Sequence, residues 1–297
     1  MRVSFIHSND EQTASYRYRA QRPANALKAS VNDESADILV FAKPKPSQLP
    51  LLQRVQAEGR IAIVDCCDVH WQKPSVMTMI AEADAVTVNT PYMQALVQED
   101  CGRSSTIIID PYEYDEVPPH CEGVNLLWYG HPNNADSFNR IAPLMAQYPF
   151  KIVTNRSAMK GTASAEVLEW SIPVMLREFS RADIVVMPET APHKSANRTI
   201  EAIRQGCFVV AEPHPSLVEF PGIWIGNIRE GILWTSTHLE EARARTTEAQ
   251  AYVRSRYGLE PMVNAWKTLL RDYDLTSAAG KSIGTAGSTL MASMAVR

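Results

Sequence analysis

Along the first part of the chain, short apolar runs rich in Ile and Val alternate with stretches whose apolar residues recur every three or four positions. That rhythm is the pattern of strands followed by amphipathic helices. The runs at 3–7, 37–42, 60–65, 84–89 and 105–110 predict strands, and 19–30, 47–58, 74–83 and 91–100 predict helices. Pro74 and Pro91 stand where a first-turn proline is tolerated, and Thr90 fits an N-cap. Runs such as IIID and IAIV show no polar alternation, which suits a parallel sheet covered on both faces. The rhythm stops at PYEYDEVPPHCEG (111–123), which holds three prolines and four acidic residues and reads as an inter-domain linker.

A second series follows, with strands expected at 124–129, 150–154, 183–187, 207–211 and 223–225 and helices at 135–147, 172–181 and 196–205. Two βαβ arrays joined by a Pro-rich segment imply an α/β protein of two facing Rossmann-like domains. Residues 1–122 would form the first domain and 123–236 the second. Residues 237–275 read as one or two helices, kinked before Pro261, that pack back on the first domain. Residues 276–297, small and without a period, read as a flexible tail.

Composition narrows the class. The 297 residues are 45% hydrophobic and 21% charged, which fits a globular chain rather than a disordered one. No run approaches the roughly 20 apolar residues of a membrane helix, and the opening MRVSFIHSNDEQ lacks a secretory apolar core. A net charge of −4 argues against non-specific coating of nucleic acid. Five cysteines, two of them adjacent (Cys66 and Cys67), fit a reduced-thiol compartment and a cytoplasmic enzyme. There is no GxxxxGK[ST] or GxGxxG, so P-loop and simple dinucleotide chemistry lack support, and the GxSxG match GKSIG (280–284) falls in the segment read as a flexible tail rather than at a strand-to-helix turn.

The densest chemistry lies in RADIVVMPETAPHKSANRTIEAIRQGCFVVAE (181–212). A strand ends at Pro188, a polar loop follows, and a helix opens near Ser195. Such loops at strand carboxyl ends bind ligands in doubly wound sheets, and a helix N-terminus offers free N–H groups to phosphate. Lys194, Ser195, Asn197 and Arg198 cluster there, and Glu201 stands one turn after Asn197. A cation for phosphate and a carboxylate for sugar hydroxyls are what a nucleotide sugar needs; solvated helix-start residues are the plain alternative.

This segment resembles the donor-binding segment of GT-B glycosyltransferases of the GT4-like group. AEADAVTVNTPYMQALV (81–97) is similar to the end of that group's acceptor domain, and NLLWYGHPNN (125–134) to the first strand and glycine turn of its nucleotide-binding domain. The resemblance implies a GT-B fold and a metal-independent, retaining transfer from a nucleotide-diphosphate sugar to an acceptor hydroxyl, without a resident cofactor. It assigns Glu201 to the nucleotide ribose and Gly130 to the glycine turn, with Lys194, Ser195, Asn197 and Arg198 completing the donor site. The family's other glutamate, eight positions earlier, is replaced by His193, and Glu189 stands four residues too early. The basic residue usual near the glycine turn is also missing, and Arg156 is the substitute candidate.

The first domain adds two candidate groups. Arg17, Arg19 and Arg22, interleaved with Tyr16 and Tyr18, suit an acceptor or phosphate site, while residues 1–124 as a whole hold 11 basic and 17 acidic residues. Asp68 and His70, just beyond a strand, join His193 as candidate catalytic groups; Asp65 and Asp68 with His70 lack the further ligands of a metal site. The acceptor is open: a glycan, a small molecule or a modified DNA base. The rivals are a phage-type transferase acting on hydroxymethylated bases and a non-catalytic nucleotide-sugar-binding subunit.

Overall fold

A computed structural model describes residues 1–131, 134–155 and 165–283. Its strands form two six-stranded sheets, and every pairing is parallel. The first runs in the order β2-β1-β3-β4-β5-β6. Its strands are β1 (Val3–Ile6), β2 (Ser30–Val31), β3 (Ile38–Ala42), β4 (Ile61–Cys66), β5 (Ala85–Val88) and β6 (Thr106–Ile107). The second runs β12-β11-β10-β7-β8-β9, from β7 (Leu126–Tyr129), β8 (Phe150–Thr154), β9 (Glu166–Glu169), β10 (Ile184–Met187), β11 (Phe208–Ala211) and β12 (Trp224–Ile225). The central strands β3, β10 and β11 are buried throughout, as runs of Ile and Val without alternation require.

Helices α3 (Leu49–Ala57), α4 (Pro74–Glu82) and α5 (Pro91–Cys101) cover the first sheet. Thr90 Oγ1 accepts the Met93 N–H at 3.1 Å and so caps α5 as its sequence suggests. The first helix departs from expectation. It starts earlier, as α1 (Ala14–Tyr16), passes through a π turn at Arg17–Gln21, and ends as α2 (Arg22–Leu27), where Lys28 turns left-handed at φ 55°. Residues 15–18, which precede the helix expected at 19–30, are therefore helical as well.

In the second half, α6 (Ala135–Met145), α7 (Ile172–Phe179), α8 (Asn197–Arg204) and α9 (Ile228–Thr237) flank the sheet. The expected C-terminal helices divide their loyalties. α10 (Leu239–Arg256) buries Ala249 and Val253 in the second sheet's core. After a break at Tyr257, α11 (Leu259–Ile283) crosses to the first, where Trp266 meets Phe5 edge-on at 5.2 Å. α11 continues through the start of the predicted tail; the remainder of that tail lies outside the described residues.

The Pro-rich segment 111–123 has no helix or strand, yet it is not free. Val117 N–H donates to Arg204 O and His120 N–H to Gly206 O. Gly206, at φ 79°, lets this happen: a Cβ there would sit 2.4 Å from Pro118 O.

Candidate functional site

The carboxyl ends of both sheets meet across a polar cleft, and Asp68 contacts residues on both of its sides. It follows β4, and its Oδ1 accepts from Lys194 Nζ at 2.8 Å and lies 3.0 Å from His193 Nε2, both from the β10–α8 loop. Lys43 Nζ, after β3, lies 3.6 Å from Oδ2, and His70 Nε2 lies 3.9 Å away. Burial opposes the charge, but the His193 and Lys194 contacts outweigh it and hold the carboxyl well below the usual carboxylate range. Burial lowers the His70 pKa, against the pull of Asp68, so a neutral imidazole is favoured there. The three candidate catalytic residues thus converge, although His70 and His193 come from different halves of the chain.

Asn197, the first residue of α8, donates from Nδ2 to Asp110 Oδ2 at 2.9 Å, a second polar contact across the cleft. Arg198 follows. Its Nη1 donates to Tyr129 O at 3.1 Å, while Tyr129 O–H donates back to Arg198 O at 2.5 Å. Among the described residues no carboxylate pairs with this guanidinium, and burial lowers its pKa. Gly130 makes room for it, since a Cβ at Gly130 would sit 3.0 Å from Arg198 Nη1. Ser195, Arg198, Thr199 and His214 line one small pocket beside the helix start.

Glu201, one turn further along α8, is 4% exposed. Its Oε1 accepts from Tyr18 O–H at 3.0 Å and from the Glu113 N–H at 2.6 Å. Its Oε2 is buried without a partner. Burial pushes the carboxyl up to about 7, with the Glu113 hydrogen bond opposing.

The arginine cluster is where expectation and structure part. Arg19 is buried and fully engaged: its guanidinium grips Asp65 at 2.5 and 2.8 Å and Asp110 at 2.9 Å. Burial disfavours that charge, but Asp65 and Asp110 outweigh it. Arg17 forks onto Glu113 at 2.7 and 3.0 Å, and Arg22 donates to Tyr112 O. Arg17 and Arg19 thus meet the protein's own anions, whereas Arg22 meets a backbone carbonyl; Arg19 is a structural cation rather than a ligand group, and Asp65 is its partner rather than a base. Arg156 lies outside the described residues.

Several cleft residues escaped the sequence reading. His7 ends the first strand's run, Lys43 and Lys45 follow β3, and Asn89 follows β5. The available signal was position: each of the four stands just past a strand's carboxyl end, where crevice residues come from. Among the described residues, no group of three or more His, Cys, Asp or Glu side chains is placed to hold a metal ion.

Two parallel Rossmann-like sheets facing each other across such a cleft define the GT-B fold, and this chain has it. Solved structures share the arrangement. HepE from Anabaena, crystallised with UDP and glucose, matches with a TM-score of 0.71 over 91% of this chain and 99% of its own, at 13% identity. Sucrose-phosphate synthase from Thermosynechococcus elongatus matches at 0.64 over 92% and 99%, with 11% identity. WaaG, a glycosyltransferase involved in lipopolysaccharide biosynthesis, matches at 0.63 over 89% and 98%, with 13% identity. No protein-family profile matches the sequence, and no curated protein does. At these identities the likeness is one of fold.

Proposed function

We propose that this protein is a glycosyltransferase that moves a sugar from a nucleoside-diphosphate sugar to an acceptor hydroxyl, with retention and without a bound metal. Residues 123–236 would hold the donor and 1–122 the acceptor. The observation that carries the reading is Arg198: a half-buried cation without a carboxylate partner among the described residues, lining a pocket beside the N–H groups of a helix start. Nothing in the fold's stability calls for such a cation, whereas a leaving diphosphate does. Lys194 would join it, exchanging its contact with Asp68 for a phosphate oxygen. Glu201 Oε2, buried and unpaired, suits a ribose hydroxyl donor. Asp68, His70 and His193 would then face the sugar and the incoming hydroxyl. That HepE was crystallised with UDP and glucose supports the donor class.

Calorimetry with UDP and a panel of UDP-sugars tests the donor site. Micromolar-range binding that weakens about tenfold or more in Arg198→Gln is expected, since a charge-assisted contact is lost. An unchanged affinity in a folded variant refutes the assignment. One observation favours a second reading, a non-catalytic binding subunit: His193 replaces the expected carboxylate and is tied to Asp68. Turnover of donor, even by hydrolysis, rules that reading out.

A further inference from the structure

The first sheet's contribution to the cleft is cationic in a way the donor chemistry does not use. His7, Lys43 and Lys45, Asp68 and His70, and Asn89 follow β1, β3, β4 and β5, which are adjacent in the sheet. Their side chains therefore share one rim. Lys43 is left-handed at φ 53°, and its N–H donates to Asp65 O at 2.9 Å, which fixes where its side chain departs. Lys45 sits between Pro44 and Pro46. Its N–H donates to Gln48 Oε1 at 2.8 Å, and Gln48 Nε2 donates to Ser8 Oγ at 3.3 Å. The Lys-Pro-Lys-Pro segment is thus clamped against the residue that follows His7.

This rim has too few anions for its cations. Asp68 is the one carboxylate paired with Lys43 and Lys194 among the described residues, and Lys45 has no carboxylate within ion-pair distance. Asp65, the other acidic group nearby, is held by Arg19.

His7 gives the second, independent sign. It is 4% exposed, and its Nδ1 accepts the Asn9 N–H at 3.0 Å. In the neutral ring the proton must then sit on Nε2, and that buried N–H has no acceptor. Burial first, then the charges of Lys43 and Lys45, lower the His7 pKa to about 4, so the ring is neutral at pH 7 and lies within electrostatic reach of both lysines. A buried donor without an acceptor costs stability unless a ligand supplies one.

We propose that the acceptor carries a phosphate-type anionic group, held at the ends of β1 and β3 by Lys43, Lys45 and the Nε2–H of His7. This rests on the glycosyl-transfer reading and names the acceptor class for it. Three donors, two of them cationic, match the multiple acceptor oxygens of such a group.

Calorimetry on the full chain with saturating UDP, which fills the donor's phosphate subsite, tests the proposal with inorganic phosphate and then with glycerol 3-phosphate against glycerol. Both phosphates should bind and glycerol should not. Lys43→Gly with Lys45→Gln should weaken phosphate about tenfold or more while leaving UDP affinity unchanged; glycine suits the left-handed backbone at position 43. The His7 Nε2 resonance should shift on adding phosphate in the parent protein. No phosphate binding, or equal binding in the folded double variant, overturns the proposal. If UDP itself fails to bind, the donor reading fails, and the same phosphate titration on parent and double variant without UDP still decides the rim.

Discussion

Replacing Glu201 by Gln should change how stability depends on pH, in a direction fixed by the burial of the carboxyl. Glu201 is 4% exposed, and its carboxyl is pushed up to about 7 from the ordinary 4.5. Between those values the folded chain keeps a proton that the unfolded chain has lost. Stability must therefore fall as pH rises from about 4.5 to about 7, and level off above. A displacement of that size corresponds to about 3 kcal/mol. The substituted amide would be nearly isosteric, its carbonyl still able to accept from Tyr18 O–H and the Glu113 N–H, and it does not ionise. The stability of Glu201→Gln relative to the parent should thus grow by about 3 kcal/mol between roughly pH 4.5 and 8. Urea unfolding of both proteins across that range measures it, and the difference cancels other titrating groups such as His7. A stability difference that stays constant with pH refutes the reasoning. The same variant should bind UDP more weakly if Oε2 takes a ribose hydroxyl, so stability and binding move in opposite directions at the alkaline end of the range.

Three further outcomes follow from the same geometry. Arg19→Gln should cost about 3–5 kcal/mol in denaturant unfolding, because Asp65 and Asp110 are left buried without their counter-ion. Gly130→Ala should weaken UDP binding with little loss of stability, since its Cβ meets the far end of the Arg198 side chain rather than backbone; titration calorimetry beside a melting curve separates the two. Turnover should survive EDTA, with Lys194 and Arg198 meeting the diphosphate; loss of activity restored by magnesium or manganese would refute the metal-independent reading.

The fold was legible because its strands are short apolar runs bounded by turn residues, and because the segments between them carry the helical period. β9 was not, since Glu166 and Glu169 put charge on a half-exposed edge strand, where burial imposes no pattern. The π turn also escaped, because the 3.6-residue period assumes regular hydrogen bonding and the turn adds one residue to it. At the cleft, the loop from His193 to Arg198 was readable from position at a strand's end. The fate of the arginines was not. Whether Arg19 faces solvent or a buried carboxylate depends on Asp65 and Asp110, 46 and 91 residues away, and no local spacing encodes that meeting. Lys43 and Lys45 were missed for the opposite reason: two lysines among prolines read as a surface turn until the sheet order places them beside His7.

The way the two halves touch suits a cleft that opens and closes. Where α8 and its loop approach the first sheet, the contacts are polar: Lys194 and His193 to Asp68, Asn197 to Asp110, and Tyr18 to Glu201. In water such groups exchange one set of partners for another, so the net cost of parting them is small. α11 returns the chain to the first sheet, where its Met262 and Trp266 are buried with Phe5. A hydrophobic anchor resists separation because it would expose apolar surface, whereas the polar face yields to any ligand offering equivalent charges. On the proposed reading, Asp68 supplies to Lys194 and Lys43 the negative charge that phosphate groups would bring. Asp68→Asn should in consequence favour the separated arrangement without nucleotide, seen as a larger radius of gyration in small-angle scattering, and UDP should restore the compact value. An unchanged radius would mean that α11, not the polar face, sets how the halves sit.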